Sequence, residues 1–507
     1  MHYKYILCTI FFSLFFLTNN TLTAQSGTWE FIHNGNNCAA HGSAGSCMQG
    51  RHEASYVQVG DRFYLLGGRE NNSNVNIYDP IRNIWTVGSN APFPIHHFQA
   101  VEFHGLILIM GAMTGNFPNE TPIPNIMIYD PKTDRWSTGP SIPSNRRRGS
   151  AGVVVSNDKI YMVSGIQNGH RSGWVPWLDE YDPLAGTWRT LANAPHSRDH
   201  FHAALYGDKI VVGGGRRSGQ DGTFNATEGA IDIYDISDRR WTTHNRDLPT
   251  HRAAPCVGVI GDEVIFIGGE KNSGRANSET EALNMRTGSW RTLRPLNTGR
   301  HGTQAIVNNN NIWVASGSPN RGGGRVQSQE RFFLDSRRTP SVQNVARSTI
   351  TTPSSVSIED RRTERIWIDN SSGDQAVIVN EIALLDGGYN INFTRSLPFF
   401  LPPGTRFAVD VTHANGSNAR LRVRHTGQNT QNIVNITNAA VAVNGITISF
   451  ASPSINAEFE AGASIGPVVN ASDSNGSISQ VQLFLNNKLL RIERACLLYT
   501  SPSPRDS

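Results

Sequence analysis

Charge is scarce in this 507-residue chain: Asp, Glu, Lys and Arg make up 17% of it, and only six lysines stand against 39 arginines. The formal net charge is +4, with no basic run. A surface that neutralises nucleic-acid phosphates needs clustered cations, so a nucleic-acid partner is not expected. The arginine bias suits planar, bidentate contacts to carboxylates or sugars. Long apolar runs are lacking too. "ILCTIFFSLFFLT" (6–18) is too short to span a bilayer, follows the basic "MHYKY" and precedes "NNTLTA". That pattern predicts a secretory signal over 1–24. No later segment has the length of a span, so the expectation is a secreted or cell-surface protein, monomeric, with no membrane span.

Cysteine is also sparse, at five residues. Cys8 falls in the signal, and Cys496 opens "CLLYTSPSPRDS". That ending reads as translated sequencing adapter, so 495–507 is set aside. Cys38 and Cys47 bracket "CAAHGSAGSC", and export favours a disulfide between them. A four-ligand metal set of Cys38, His41, Cys47 and His52 matches no standard zinc spacing, so no metal and no cofactor are assigned. Cys256 lies in an apolar strand and reads as a core thiol.

What the chain has in abundance is glycine (48), proline (25) and repetition. "IYDPIRNIW" (77–85), "IYDPKTDRW" (128–136), "EYDPLAGTW" (180–188) and "IYDISDRRW" (233–241) are one phrase written four times. Trp85, Trp136, Trp188, Trp241 and Trp290 recur every 49 to 53 residues, and Leu283 stands where the fifth tyrosine is due. Before each phrase an apolar run ends in small residues: "RFYLLGG", "LILIMGA", "KIYMVSG", "KIVVGGG", "EVIFIGG", "NIWVASG". A period near 50 with four short strands per unit is that of propeller blades. The glycine pair, the Tyr-Asp and the following Trp resemble the kelch family over about residues 27–334. The sixth unit has no closing Trp strand, whereas "SGTWEFI" with Trp29 stands unused at the other end. Pairing it into the last blade removes an exposed edge. The fold class expected is all-β: a six-bladed kelch propeller (25–336) closed by an N-terminal strand, then immunoglobulin-like β-sandwiches.

Counting back from each glycine pair places Arg51, Arg148, Arg198, Arg252 and Arg300, with Ile95 in blade 2, at one mouth of the propeller. Kelch repeats commonly carry arginine here, which leaves a structural ring and a binding ring as equal alternatives. Next to it lie His52, Glu53, His96, His97, Arg146, Arg147, Asp199, His200 and His301. Loops on the same face bring Arg216, Arg217, Arg321 and the insert "IQNGHRSGWVPWLDE" with His170, Arg171, Trp174 and Trp177. Insertions gathered on one face of a repeat protein mark a binding face. Arginine, histidine, acid and tryptophan together suit a glycan or a protein ligand. The ligand-binding set expected is therefore Arg51, His52, Glu53, His97, Arg148, Arg198, Asp199, His200, Arg216, Arg217, Arg252, Arg300, His301, Trp174 and Trp177, although the two tryptophans suit packing onto a neighbouring blade nearly as well.

Three catalytic readings compete. A copper radical oxidase of the galactose-oxidase type requires a tyrosine beside the histidines and a Cys–Tyr thioether, and neither pattern is present. A three-histidine metal site of His52, His96 and His301 is outweighed by independent ring histidines. Sialate mutarotases resemble six-bladed kelch propellers, and that resemblance implies acid–base work for Glu53 or Asp199 on an anionic sugar. The reading favoured is a binding protein rather than an enzyme.

After a polar linker (337–352), "RIWIDN", "AVIVNEIAL", "FAVDVTH" and "ARLRVRH" alternate as strands do. Residues 353–442 resemble immunoglobulin-like modules of the abnormal-spindle/hydin and choice-of-anchor type, which implies a spacer or adhesive role. Residues 443–494 resemble the start of a bacterial immunoglobulin-like domain with about half its strands.

Overall fold

A computed structural model describes residues 26–34, 48–69, 74–359, 361–415, 418–439, 446–452, 468–473, 478, 480–485 and 488–494. The signal-like segment, Cys38, Cys47 and the adapter-like ending lie outside them, so the disulfide expectation does as well. Six four-stranded antiparallel sheets surround one axis. Blade 1 runs outward as Ala54–Val59, Arg62–Gly67, Asn74–Asp79 and Ile84–Asn90. Blades 2 to 5 repeat the order and begin at Val101, Gly152, Ala203 and Cys256. In blade 6, Ala305–Asn308, Asn311–Ala315 and Gln329–Phe333 are completed by Thr28–His33, whose Trp29 stands opposite Phe332.

Register explains the repeated phrase. Tyr78, Tyr129, Tyr181 and Tyr234 sit directly across from Trp85, Trp136, Trp188 and Trp241, with ring centroids 4.8–5.2 Å apart. The seven-residue spacing is the length of a tight turn that brings cross-strand partners together. Leu283–Trp290 and Phe332–Trp29 occupy the same place in blades 5 and 6. These rings fill the wedge that opens as neighbouring sheets diverge from the axis. Trp29 is buried among Ile265, Leu293 and Leu296 of blade 5, and its indole N–H donates to Arg294 O at 2.9 Å.

The glycine pairs join the blades. At Gly268 (φ +62°) a Cβ would lie 2.3 Å from Arg300 O, because the next residue, Gly269, donates its N–H to that carbonyl at 2.8 Å. Equivalent bonds run from Gly68 to Ile95 O, Gly165 to Arg198 O, Gly215 to Arg252 O and Gly317 to Arg51 O, so the last closes the circle. The left-handed turn at this approach favours glycine, although Ser164 and Ser316 adopt it in blades 3 and 6 with φ +51° and +59°. Cys256 is buried with its Sγ 3.2 Å from Thr303 O, and burial pushes its thiol up to about 12, as befits an inert core thiol.

The face opposite the arginine mouth is covered. Residues 338–341 form a strap over the blade 6 turn: Asn311 Nδ2 donates to Arg338 O, Asn309 Nδ2 to Thr339 O and Asn308 Nδ2 to Ser341 O. The strap is polar because its partners are polar. Beyond it a five-stranded sheet (Ser355–Ile358, Gln431–Asn438, Asn418–His425, Val377–Leu384, Phe399–Leu401) packs on a three-stranded one (Thr363–Asn370, Thr405–His413, Tyr389–Asn392). This sandwich is docked, not dangling. Ala376, Ile378 and Phe400 share one buried cluster with Val101, Phe103 and Tyr181 of the propeller. Ala376 N–H donates to His104 O at 2.8 Å, and Gln375 Nε2 to Asp130 Oδ1 at 2.7 Å. Farther on, Ile446–Ser452 pairs with Val468–Asp473 and Gln480–Leu485 with Lys488–Arg494, as two separate two-stranded sheets.

Trp29→Ala removes the ring that closes blade 6 and its indole hydrogen bond. A loss of about 3–5 kcal/mol is expected, measured as a fall in the urea midpoint of propeller unfolding, with aggregation as the freed strand edge is exposed.

Candidate functional site

Each blade sends three consecutive residues to the mouth: 51–53, 95–97, 148–150, 198–200, 252–254 and 300–302. Their fates differ by position.

The first position is structural. Arg51, Arg148, Arg198, Arg252 and Arg300 are all 0% exposed. Arg198 donates to Gly214 O (3.0 Å), Ala230 O (2.9 Å) and Asp232 Oδ2 (2.6 Å). Arg148 meets Asp179 Oδ2 at 2.7 Å and Met162 O at 2.7 Å. Arg252 pairs with Glu281, and Arg300 with Glu330 and Ser328. Arg51 instead uses Gly67 O, Asn74 and Asn76. The five guanidinium groups staple the second strand of their blades to the third, and most of their donors are spent on carbonyls, acids or, for Arg51, asparagines. The expectation that they bind ligand is therefore corrected. Trp177 is half-buried, with the Arg146 guanidinium over its ring at 4.1 Å. Trp174 is half-buried in the hairpin of Ile166–Asn168 and Ser172–Trp174, with Arg217 6.0 Å from its ring centroid. Arg217 is itself paired with Glu228.

The second position holds His52, His96, Gly149, Asp199, Ala253 and His301. Five of them form bridges with the residue that follows the small-residue pair, for example Asp199 with Arg216, Ala253 with Glu270 and His301 with Ser318. The third position holds Glu53, His97, Ser150, His200, Ala254 and Gly302, one per blade and all left-handed, with φ between 49° and 66°. Five of these six are not glycine, and the conformation costs each roughly 1–2 kcal/mol. Successive blades link through them: His97 N to Glu53 O, Ser150 N to His97 O and Ala254 N to His200 O. A wheel of strained residues thus faces a cavity of about 20 Å³, lined by Glu53, His97, Ser150, His200 and His202. Such a space holds one water or one ion, not a sugar ring.

Two loops meet beside the wheel, where His170 reaches His200. Glu120 precedes Thr121–Pro122 of the blade 2 hairpin, and His170 sits at the tip of the blade 3 hairpin, where its N–H donates to Pro118 O. His170 Nδ1 donates to Glu120 Oε2 at 3.0 Å, and Arg69 pairs with the same carboxylate. Burial works against ionisation of Glu120, but His170 and Arg69 hold it down at about 2. Glu270 is likewise held at about 2 by His301 and Arg216 against burial. Asp199 is pushed up by burial, a shift that Arg216 and Ser218 oppose; it accepts from Ser218 N (2.9 Å), Ser218 Oγ (2.6 Å) and His200. Burial above all, with neighbouring cations added, holds His97 and His200 well below 6.5.

Of the site residues expected from sequence, Glu53, His97, Asp199, His200, Arg216 and His301 converge on this cluster. His52 is buried at its margin, its ring 6.3 Å from His301. The three histidines brought together are His97, His170 and His200 rather than His52, His96 and His301. Glu120, Arg69, Ser218 and Glu270 were missed. Arg69 and Glu270 follow the glycine pair directly, a position the repeat itself marks.

Comparison with known proteins fits this geometry. The description "KLHDC2/KLHL20/DRC7 Kelch-repeats domain" matches residues 139–317, and "Bacterial Ig domain" matches 447–503, a span that runs into the adapter-like ending. The first domain is a kelch propeller. Among its relatives, "Kelch-like protein terF" of Aspergillus terreus is 27% identical over 285 residues, covering 53% of this chain and 61% of that protein. Human "Kelch-like protein 23" is 24% identical over 286 residues, covering 56% and 48%. The chain thus spans between about a third and three fifths of the length of the curated relatives it matches. The solved "Structure of YjhT" shares the fold at 16% identity, with a TM-score of 0.50, 59% of this chain and 99% of that one.

Arg198→Ala leaves Asp232 buried without its cation, so a loss of about 3–5 kcal/mol is expected in chemical denaturation. Arg198→Lys should recover only part of it, because one ammonium cannot reach both carbonyls and the carboxylate together.

Proposed function

We propose that this chain is an exported, surface or extracellular bacterial protein whose kelch propeller binds a protein partner through the loop face around the arginine mouth. One observation carries the reading. The immunoglobulin-like sandwich and its strap occupy the opposite face, while the insertions gather on the free one. That free face presents Phe117, 54% exposed, with Arg171, Arg275, Arg321 and Arg325, all exposed, and Phe224 half-buried beneath Arg321 at 5.2 Å. Aromatic and arginine side chains together are the usual anchors of protein recognition. The signal-like start and the bacterial immunoglobulin-like ending favour export from a bacterium. Among the described residues no helix is long and apolar enough to cross a membrane.

The glycan reading draws on the same exposed arginines and Trp174. The mutarotase reading gains no support from Glu53 and Asp199, which are buried beside a space too small for a sugar ring. The deciding experiment presents labelled protein to arrays of extracellular proteins and of glycans, and follows the anomeric signals of fresh sialic acid by NMR. Binding to a protein is expected, weakened about 30-fold or more by Phe117→Ala with Arg321→Ala and unaffected by Lys132→Ala on the strap side. Binding to glycans alone, or faster anomer exchange, overturns the proposal.

A further inference from the structure

The hydrogen bonds around the wheel fix where the protons of three histidines lie. His170 donates Nδ1–H to Glu120 at 3.0 Å, and His200 donates Nδ1–H to Asp199. In His96, Nε2 faces Gly115 O at 2.9 Å; a carbonyl only accepts, so that nitrogen carries the proton. His96 Nδ1 is then an acceptor, and the 2.6 Å contact to His97 Nδ1 is a bond donated by His97. In all three rings the outer Nδ1 is protonated and held, which leaves Nε2 as a bare lone pair.

Those lone pairs are set against other lone pairs. His170 Nε2 and His200 Nε2 lie 3.0 Å apart, and His97 Nε2 lies 3.5 Å from Glu53 Oε2. Beside them His301 donates Nε2–H to Asn320 O, and its buried Nδ1 faces Glu53 Oε1 at 3.6 Å without a hydrogen bond. Four acidic side chains, Glu53, Glu120, Asp199 and Glu270, face two guanidinium groups, Arg69 and Arg216. Acceptors opposed at this distance in a buried space call for a cation between them.

We propose that His97, His170 and His200 bind one divalent transition-metal ion of the imidazole-preferring class, zinc in the first instance, with Glu53 or a water in the fourth position. One ring nitrogen from each histidine lies within 4.8 Å of the other two. Tetrahedral zinc with bonds of about 2.0–2.1 Å needs nitrogens roughly 3.3 Å apart, so small ring rotations complete the tripod. Glu120, Asp199 and His96 are the outer partners that fix tautomer and ring direction in histidine metal sites. The adjoining cavity of about 20 Å³ accommodates a single metal-bound water. Three protein ligands and one exchangeable position are what catalytic zinc sites share and closed structural sites lack.

The test uses the full chain carrying no histidine tag, dialysed against chelator and then titrated with zinc alone in a calorimeter, with bound metal counted by elemental analysis after gel filtration. About one zinc per chain is expected, with a raised melting temperature that chelator reverses. Cobalt in place of zinc should give the intense visible absorption of a tetrahedral site. His170→Gln and His200→Gln should each lower affinity by at least 100-fold, whereas His244→Gln, on an outer turn, should leave it unchanged. Circular dichroism and the metal-free melting curve show whether each variant is folded. A folded wild-type chain that retains no zinc at micromolar free metal, or a double variant that still binds one equivalent, overturns the assignment; shared protons then account for the close nitrogens.

Discussion

Ring closure is the constraint on which the rest of this structure depends. Six sheets meet around an axis only if they are tied to one another, and in five of the six blades a hydrogen bond runs from the second small residue to the first mouth position of the next blade. That bond forces backbone against backbone, which is why glycine recurs there. It also pins the mouth residues so firmly that five non-glycine residues are held left-handed two positions further on. The wheel that faces the axis is thus a product of closure. Blade 6, stitched by a strand from the beginning of the chain, completes the same hydrogen-bond cycle at Gly317 and Arg51.

The fold was legible because its signals are local and repeated. The Tyr–Trp spacing is set by one turn, and the glycine pair by one close approach, so each copy reports the same geometry without reference to the others. The odd count of closing strands then pointed to Trp29. The site was only half legible. The repeat register placed Glu53, His97, Asp199 and His200 on one face, but not which way a side chain turns at that mouth. Two residues separated by a single position diverge completely there: Arg198 turns into the blade, whereas His200 meets His170 at the cluster. A left-handed residue two places after the arginine makes the difference, and sequence periodicity does not report φ. His170 and Glu120 come from irregular hairpins whose tips meet across blades, a contact no repeat encodes.

The buried arginines and the buried histidines also show one composition serving two ends. The arginines answer a problem of satisfaction, since the ends of the second and third strands leave carbonyls that no neighbouring strand covers, and a five-donor fork covers several at once. The histidines leave a problem unsolved within the protein's own atoms, because acceptors are brought face to face. Polar burial of the first kind stabilises a scaffold, and the second kind marks a place where something else belongs.

The shared apolar cluster between the sandwich and blades 2 and 3 has a mechanical consequence. A flexible tether would let the propeller tumble, whereas this seam fuses head and stalk into one lever. Pull exerted through the sandwich therefore reaches the wheel along the face opposite the arginine mouth, and loads Phe400 and Gln375 before it strains any blade.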